Sequence, residues 1–343
     1  MIFYHIQADR NFDYLISLIG WIYHPHNFYF ISVDASVPDE QIAGIEELQR
    51  GGNISVSRNV TLTWGGISPI NSLLLGMQSF VASPPHLRYF INLSTADFPI
   101  KTQGSIFDTL SPFDTQKPTA WVNSWLCSPE YFVENTTPPN AYRNIRVRAD
   151  LEFLVDKRIA FLIAEREQSA VLKPGRRVGF MMHEVIGEKL HIVRPLLDAE
   201  HQSRLALFKT SGYRVGRGWH VLNREFCKML LQSKCFYLAC QILSGSLLPE
   251  ESLFQTVLPM LPGEVVHHNR NFRFKNGGPE NVHDGLLPEL EDSDAFFARE
   301  LNVHNCRALS QWAQRRFSAS QEAFAAATGV SHDLPQLTDS PPT

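Results

Sequence analysis

Two hydrophobic periods alternate along the first hundred residues. Ile2–Gln7 is a short apolar run, and Phe28–Val33 (FYFISV), Ile54–Val60 and Tyr89–Leu93 (YFINL) are further β-prone runs bounded by polar residues. Between them, Phe12–Tyr23 and Ser68–Ser83 set apolar residues at helical spacing. These runs stop at Pro25 and at Pro84-Pro85, because proline has no amide hydrogen with which to continue a helix. Asp39–Arg50 reads as a helix closed by Gly51-Gly52, glycine being the residue that most easily adopts a left-handed helix exit. Strand–helix–strand alternation of this length predicts an α/β fold with a central, mostly parallel sheet flanked by helices. Ligands of such sheets lie beyond the carboxyl ends of the strands. Asp34 and Asp97 each fall just after a β run and are therefore candidate site residues.

The periodicity weakens between Ser111 and Gly218, a stretch rich in Pro, Arg and aromatics that holds Tyr142, Arg143, Arg146 and Arg148. A helical pattern recurs near Leu151–Arg166. It is followed by a strand at Trp219–Leu222, a helix over Arg224–Leu243 and another over Pro249–Leu258 (PEESLFQTVL), with Glu250 and Glu251 in its first turn. Beyond Phe317 the composition turns to Ala, Ser, Gln and Pro, so residues 317–343 are expected to form a disordered tail.

Composition narrows the classes. The chain has 343 residues, 44% of them hydrophobic, enough for a sizeable core and too many for bulk disorder. A net charge of −4 and no long basic run argue against a dedicated nucleic-acid binder. Phosphorylated ligands stay open, since a local pocket of Arg and Lys leaves no mark on net charge. The five cysteines (Cys127, Cys227, Cys235, Cys240, Cys306) form no CxxC, which argues against structural zinc or a disulfide framework. The N-terminus does not read as a signal peptide, and no window reaches the roughly 18 uninterrupted apolar residues of a spanning helix, so a cytoplasmic protein is expected. There is no GxxxxGK[ST] loop and no GxSxG elbow, and His183-Glu184 lacks the second histidine of HExxH, Gly187 standing there instead.

The run Tyr89–Thr102, YFINLSTADFPIKT, carries more information. A buried strand breaks into a polar loop in which Ser94 and Thr95 offer hydroxyls and Asp97 a carboxylate. Asp97 as a turn-former or helix cap is the competing reading. The run resembles INLSGxDFPLKT, the signature of the core-2/I-branching β-1,6-N-acetylglucosaminyltransferase family, which also contains peptide O-xylosyltransferases. Five further blocks follow the family order. Phe30–Asp34 is similar to IHVD, Val60–Ser68 (VTLTWGGIS) to V.WG..S, and Gly218–Phe226 (GWHVLNREF) to WFVLSREF. Pro249–Thr256 (PEESLFQT) is similar to PDExFWAT, and Phe296–Leu301 (FFAREL) to LFARKF.

The resemblance implies a GT-A-like glycosyltransferase fold without the metal-binding DxD motif, and so no metal and no cofactor. It implies one domain over residues 1–316, with a nucleotide-binding half (1–110) and an acceptor and catalytic half (111–316). The expected reaction is inverting transfer of a sugar from a UDP-sugar to a glycan hydroxyl, with N-acetylglucosamine ahead of xylose. A catalytically inactive UDP-sugar-binding protein is the alternative. Glu251 would be the general base, and Glu250 beside it supplies the like-charge repulsion that favours proton uptake. Helix capping by both glutamates is the competing reading. Donor contacts are expected from Asp34, Asp97 and Arg299. Because Glu300 stands where the family has Lys, Arg270, Arg273 or Lys275 are expected to supplement Arg299 at the diphosphate. Trp64, Trp219, Arg143 and Arg146 (with Arg148) are the acceptor candidates, aromatics for the apolar faces of sugars and arginines for anionic groups. Asp292-Ser293-Asp294 is a DxD by letter, but it precedes an expected helix and reads as a cap. The partners implied are a UDP-sugar and a glycan or glycoconjugate acceptor, with peripheral association through a lipid-linked acceptor, no integral membrane span and no nucleic acid. Measured against animal members, the absence of an anchor, stem and disulfides points to a bacterial enzyme.

Overall fold

A computed structural model of the chain describes residues 1–62, 66–113, 116–126, 151–154, 191–195, 206, 214–244, 249–274, 283–299 and 307–330. The opening alternation becomes β1 (Ile2–Ala8), α1 (Phe12–Ile22), β2 (Phe28–Asp34), α2 (Asp39–Glu47), β3 (Ile54–Val60), α3 (Ser68–Ala82) and β4 (Tyr89–Ser94), close to the expected boundaries. Gly52 closes the turn after α2 at φ 75°, the left-handed exit its sequence predicts. A short β5 (Asp97–Pro99), α4 (Gln103–Leu110), β6 (Thr119–Val122) and β7 (Trp125–Leu126) follow. Strands β8 (Leu151–Leu154) and β9 (His191–Pro195) pair with each other, as do β7 and β10 (Arg214–Val215). The chain returns through β11 (His220–Asn223), α5 (Arg224–Gln232), α6 (Lys234–Leu243), a 3-10 turn at Pro249–Glu251 and α7 (Leu253–Val257). It continues with β12 (Val266–His268), α8 (Leu287–Asp292), β13 (Phe297–Arg299), α9 (Arg307–Arg316) and α10 (Ser318–Thr328).

Seven strands form the central sheet in the order β12-β6-β11-β4-β1-β2-β3. Strands β3, β2, β1 and β4 are parallel, and β12 is parallel to β6. Strand β11 runs antiparallel to both neighbours, β4 and β6, so the sheet is mostly parallel with one reversed strand. The strict alternation of β1 serves two apolar layers. Ile2, Tyr4 and Ile6 pack in the same layer as Leu15, Leu18, Ile19 and Ile22 of α1. Phe3 faces the layer that holds Ile70, Leu73, Met77 and Phe80 of α3, together with α5, α6 and α7. Arg224 at the start of α5 ties the second layer together. Its guanidinium donates to the carbonyls of Phe80, Val81, Ser83, Pro84 and Leu87, satisfying the exposed end of α3 and the turn beyond it.

Several expectations are corrected. Residues 317–330 are not a frayed tail: α10 buries Phe324 against Tyr23, and Phe317 is buried as well. The alanine-rich composition hides a helix whose large apolar residue, Phe324, faces the core. The expected helix at Leu151 begins as strand β8, and the segment after Asp294 is strand β13, held by antiparallel pairing to β5. Asp292-Ser293-Asp294 therefore closes a helix and does not precede one, and Asp294 pairs with Arg270 at 2.9 Å. The single helix expected over Arg224–Leu243 is two, broken at Ser233, whose extended backbone lets its hydroxyl accept from Phe236 N and start the second. Among the described residues no helix is long and apolar enough to cross a membrane.

Candidate active site

Strand β4 carries a polar residue, Asn92, in the middle of its apolar run and ends at Ser94. There the chain turns tightly, because both the amide and the hydroxyl of Ser94 donate to Asp97 Oδ2, at 2.7 and 3.1 Å. The other carboxylate oxygen, Oδ1, receives Arg273 Nε at 3.0 Å. The two competing readings of Asp97 thus both describe its surroundings: it forms the turn and holds a cation. Its side chain is 0% exposed and that of Arg273 5%. Burial lowers the Arg273 pKa from its ordinary value, and the Asp97 charge opposes that shift. The remaining guanidinium contacts of Arg273 run to Asn92 O at 2.6 Å and Asn271 O at 3.4 Å, so this arginine is turned inward.

Arg299 differs. Strand β13 pairs it with Asp97 in register, and its Nε lies 4.0 Å from Asp97 Oδ1 without a hydrogen-bond partner among the described residues. Its side chain is 32% exposed and its guanidinium stacks 4.1 Å from the centroid of Trp219. Arg273 and Asp97 therefore form a buried base beneath a second cation that reaches solvent. Arg270, the other expected supplement, lies apart from this cluster, stacked on Phe272 at 3.9 Å and paired with Asp294.

Asn92 joins the cluster to the segment that carries the glutamates. Its Nδ2 donates to Gly218 O at 2.8 Å and its Oδ1 accepts from His220 N at 2.7 Å, which fixes the backbone on both sides of Trp219. Two residues earlier, Gly216 N donates to Glu251 O at 2.8 Å. Gly218 packs directly beneath Glu250: a Cβ added there would lie 3.0 Å from Glu250 Cγ. Glu251 stands in the 3-10 turn that leads into α7, near the helix start its sequence predicts. Asp34 closes β2, and its Oδ1 accepts from Ser36 N and Ser36 Oγ, both at 2.7 Å. It shares the carboxyl edge of the parallel strands with the Asp97 turn, with β1 between them. Strand order reverses direction about β1, the arrangement that opens a crevice at a strand edge.

Sequence reasoning missed Asn92, although a polar residue inside YFINLS was a visible signal. The stacking of Trp219 under Arg299 had no such signal, because it depends on β13 reaching β5. Trp64, Lys275, Glu300, Arg143, Arg146 and Arg148 lie outside the described residues, as do His183 and Glu184. Among the described residues no three His, Cys, Asp or Glu side chains converge in a way that could hold a metal ion.

Residues 4–124 match the family model of the Core-2/I-Branching enzyme. That segment, 121 of the 343 residues, is similar to the family. Asp34, Asn92 and Asp97 lie inside the matched segment, and Glu251, Arg273 and Arg299 outside it. Xylosyltransferase oxt of Drosophila melanogaster is 36% identical over 96 residues, 27% of this chain and 11% of that protein. The human N-acetyllactosaminide beta-1,6-N-acetylglucosaminyl-transferase is 28% identical over 112 residues, 32% of this chain and 28% of that protein. The human beta-1,3-galactosyl-O-glycosyl-glycoprotein beta-1,6-N-acetylglucosaminyltransferase is 33% identical over 101 residues, 29% of this chain and 24% of that protein. The matched stretch thus spans between 11% and 28% of these relatives. A solved glycosyltransferase involved in the glycosylation of the major capsid of PBCV-1 aligns at 11% identity over 94% of this chain and 100% of that one, with a TM-score of 0.22.

Proposed function

We propose that the chain is a member of the Core-2/I-branching family and a glycosyltransferase of GT-A-like fold that moves a sugar from a UDP-sugar to a hydroxyl of a glycan acceptor. The observation that carries the reading is the Asp97–Arg273–Arg299 cluster on the carboxyl edge of the sheet, with one guanidinium left partly open on Trp219. Departure of UDP develops negative charge on the diphosphate, and a fixed, partly desolvated cation stabilises that charge more than a solvated one does. Arg299 supplies the cation. Arg273 and Asp97 hold the strand that presents it, and Asp34 lies on the nucleotide side.

Glu251 is the base of the reading. It removes the proton from the acceptor hydroxyl as that oxygen bonds to the anomeric carbon, while the carbon–oxygen bond to UDP breaks on the opposite face. The anomeric configuration inverts, and UDP leaves with the bonding pair. Trp219, on which Arg299 stacks, directly follows Gly218, the residue under Glu250, so base and cation flank the same short loop. For the donor, the order expected from sequence is reversed here. The fly relative, like those from mouse and dog, bears a xylosyltransferase name, so UDP-xylose is ranked first and UDP-N-acetylglucosamine second.

The test is UDP release from a panel of UDP-sugars, with EDTA present, over a range of glycan acceptors. Transfer is expected in EDTA, lost in Glu251→Gln with UDP binding kept, and weakened in donor affinity by Arg299→Ala. Thermal stabilisation by UDP that required manganese would overturn the metal-independent part. UDP-sugar binding without any UDP release would favour the inactive-binder alternative.

A further inference from the structure

Phe272 holds a left-handed backbone conformation, at φ 55°, and among the described residues Asn11 is the one other non-glycine in that region. Left-handed φ suits Gly, Asn and Asp; in a bulky aromatic it is an outlier that persists only where the surroundings over-determine it. The preceding Asn271 is of the tolerant type, yet the turn is made at the phenylalanine. The contacts of the ring account for this. It is 4% exposed and lies flat on Phe296, with centroids 4.0 Å apart and planes within 5° of parallel. The Arg270 guanidinium sits 3.9 Å from the same centroid. Two groups that close cannot share one face, so the ring is sandwiched, and Asp294 holds Arg270 from outside at 2.9 Å.

This turn grips β13. Phe272 O accepts from Phe296 N at 2.8 Å and Phe297 N at 3.3 Å, and Phe274 N donates to Phe297 O at 2.7 Å. Strand β13 thus has one edge on β5 and the other on residues 272–274, where Arg273 bridges to Phe297. The same turn sends Arg273 inward: Asn271 Oδ1 accepts from Arg273 N at 3.1 Å, and the guanidinium reaches Asp97. Strand β13 is only three residues long and ends at Arg299, so its two edges set where that arginine emerges. We propose that Phe272 is a positioning residue, whose sandwiched, left-handed turn fixes β13 and so presents Arg299 over Trp219. A phenylalanine that merely filled the core would have no bearing on the direction of Arg299. The presentation stands on these contacts, and its consequence for UDP rests on the glycosyltransferase reading.

NMR of the isotope-labelled full chain tests the assignment. Stacking on Trp219, at 4.1 Å, should shift the Arg299 Nε–H signal upfield by the ring current, and Arg299→Lys identifies that signal by removing it. Phe272→Leu keeps the apolar bulk and removes the flat faces. It is expected to abolish the upfield shift and to speed exchange of the Phe297 amide about tenfold, the β1 amides staying at parental rates. Arg270→Ala strips one face of the ring from a partly exposed position and should move both readouts the same way by less; it decides the matter if Phe272→Leu does not fold. Calorimetric titration with UDP should show binding about tenfold weaker in Phe272→Leu, and no further loss when that change is added to Arg299→Ala. No upfield signal in the parent, parental signals in both variants, or a UDP loss that adds to that of Arg299→Ala would each overturn the proposal. An upfield signal that Phe272→Leu abolishes, in a parent that binds no UDP, supports the positioning role and sinks the glycosyltransferase reading, so the two failures are separable.

Discussion

Substituting Asp97 by Asn gives the sharpest test of how the site is held. The carboxylate accepts from Ser94 N, Ser94 Oγ and Arg273 Nε at 2.7, 3.1 and 3.0 Å. An amide of the same shape must turn its NH2 group toward either the Ser94 donors or the arginine, so one accepting contact becomes a donor–donor conflict. The substitution also leaves the Arg273 charge buried, at 5% exposure, without its counter-ion. Breaking one partner of a buried pair costs about 3–5 kcal/mol. Urea unfolding followed by tryptophan fluorescence should show a lower midpoint at an unchanged slope. Arg273→Met removes the stranded charge, so the double variant should be more stable than the sum of the single costs, with a coupling of about 1–3 kcal/mol. UDP binding should weaken too, because Arg299 is held in register opposite Asp97. An Asp97→Asn cost below about 1 kcal/mol, or single costs that add to within about 0.5 kcal/mol, would refute this account of the cluster.

Burial pushes the pKa values of His5 and His220 down to about 3, His220 with a further contribution from Arg273. The unfolded chain takes up these protons near pH 6.5 while the native state stays neutral. Their stability contribution is therefore complete above about pH 6.5 and falls toward pH 3 by up to about 1.4 kcal/mol per pH unit for each histidine. His220→Phe keeps the packing against Phe254, 4.5 Å away, and should flatten that acid limb in urea titrations at pH 7, 5 and 4; an unchanged limb would contradict it. Gly216→Ala would put a Cβ 1.8 Å from Asn123 O and should destabilise by at least about 2 kcal/mol, whereas Gly104→Ala, with open space around it in α4, should gain about 0.5–1 kcal/mol. Thermal unfolding of the pair reads both signs. Arg224→Met, which abandons the carbonyls of Phe80, Val81, Ser83, Pro84 and Leu87, should cost about 3 kcal/mol or more in the same assay.

The amino-acid sequence by itself determined the parallel half of the sheet and the acidic residues near its carboxyl edge. The alternating β runs and amphipathic helices of residues 2–94 are local patterns, and each boundary is set by a local cause such as Pro84 or Gly52. The same pattern put Asp34 and Asp97 at strand ends before any packing was known. Helix α10 was lost because its alanines give a weak period, and its helical state is supported by Phe324 packing on Tyr23. The tertiary structure alone decided which cation faces solvent. Arg273 and Arg299 are equivalent as letters, and the chain brings both from more than 170 positions away to one carboxylate, as the 176-residue separation of Arg273 from Asp97 records. There, β13 pairing with β5 leaves Arg299 on the surface of Trp219, while Arg273 is folded under it against Asp97 and Asn92. Periodicity reports which face of an element is apolar; it is silent on which distant strand closes over a charge, and that closure separates the partly exposed Arg299 from the buried Arg273.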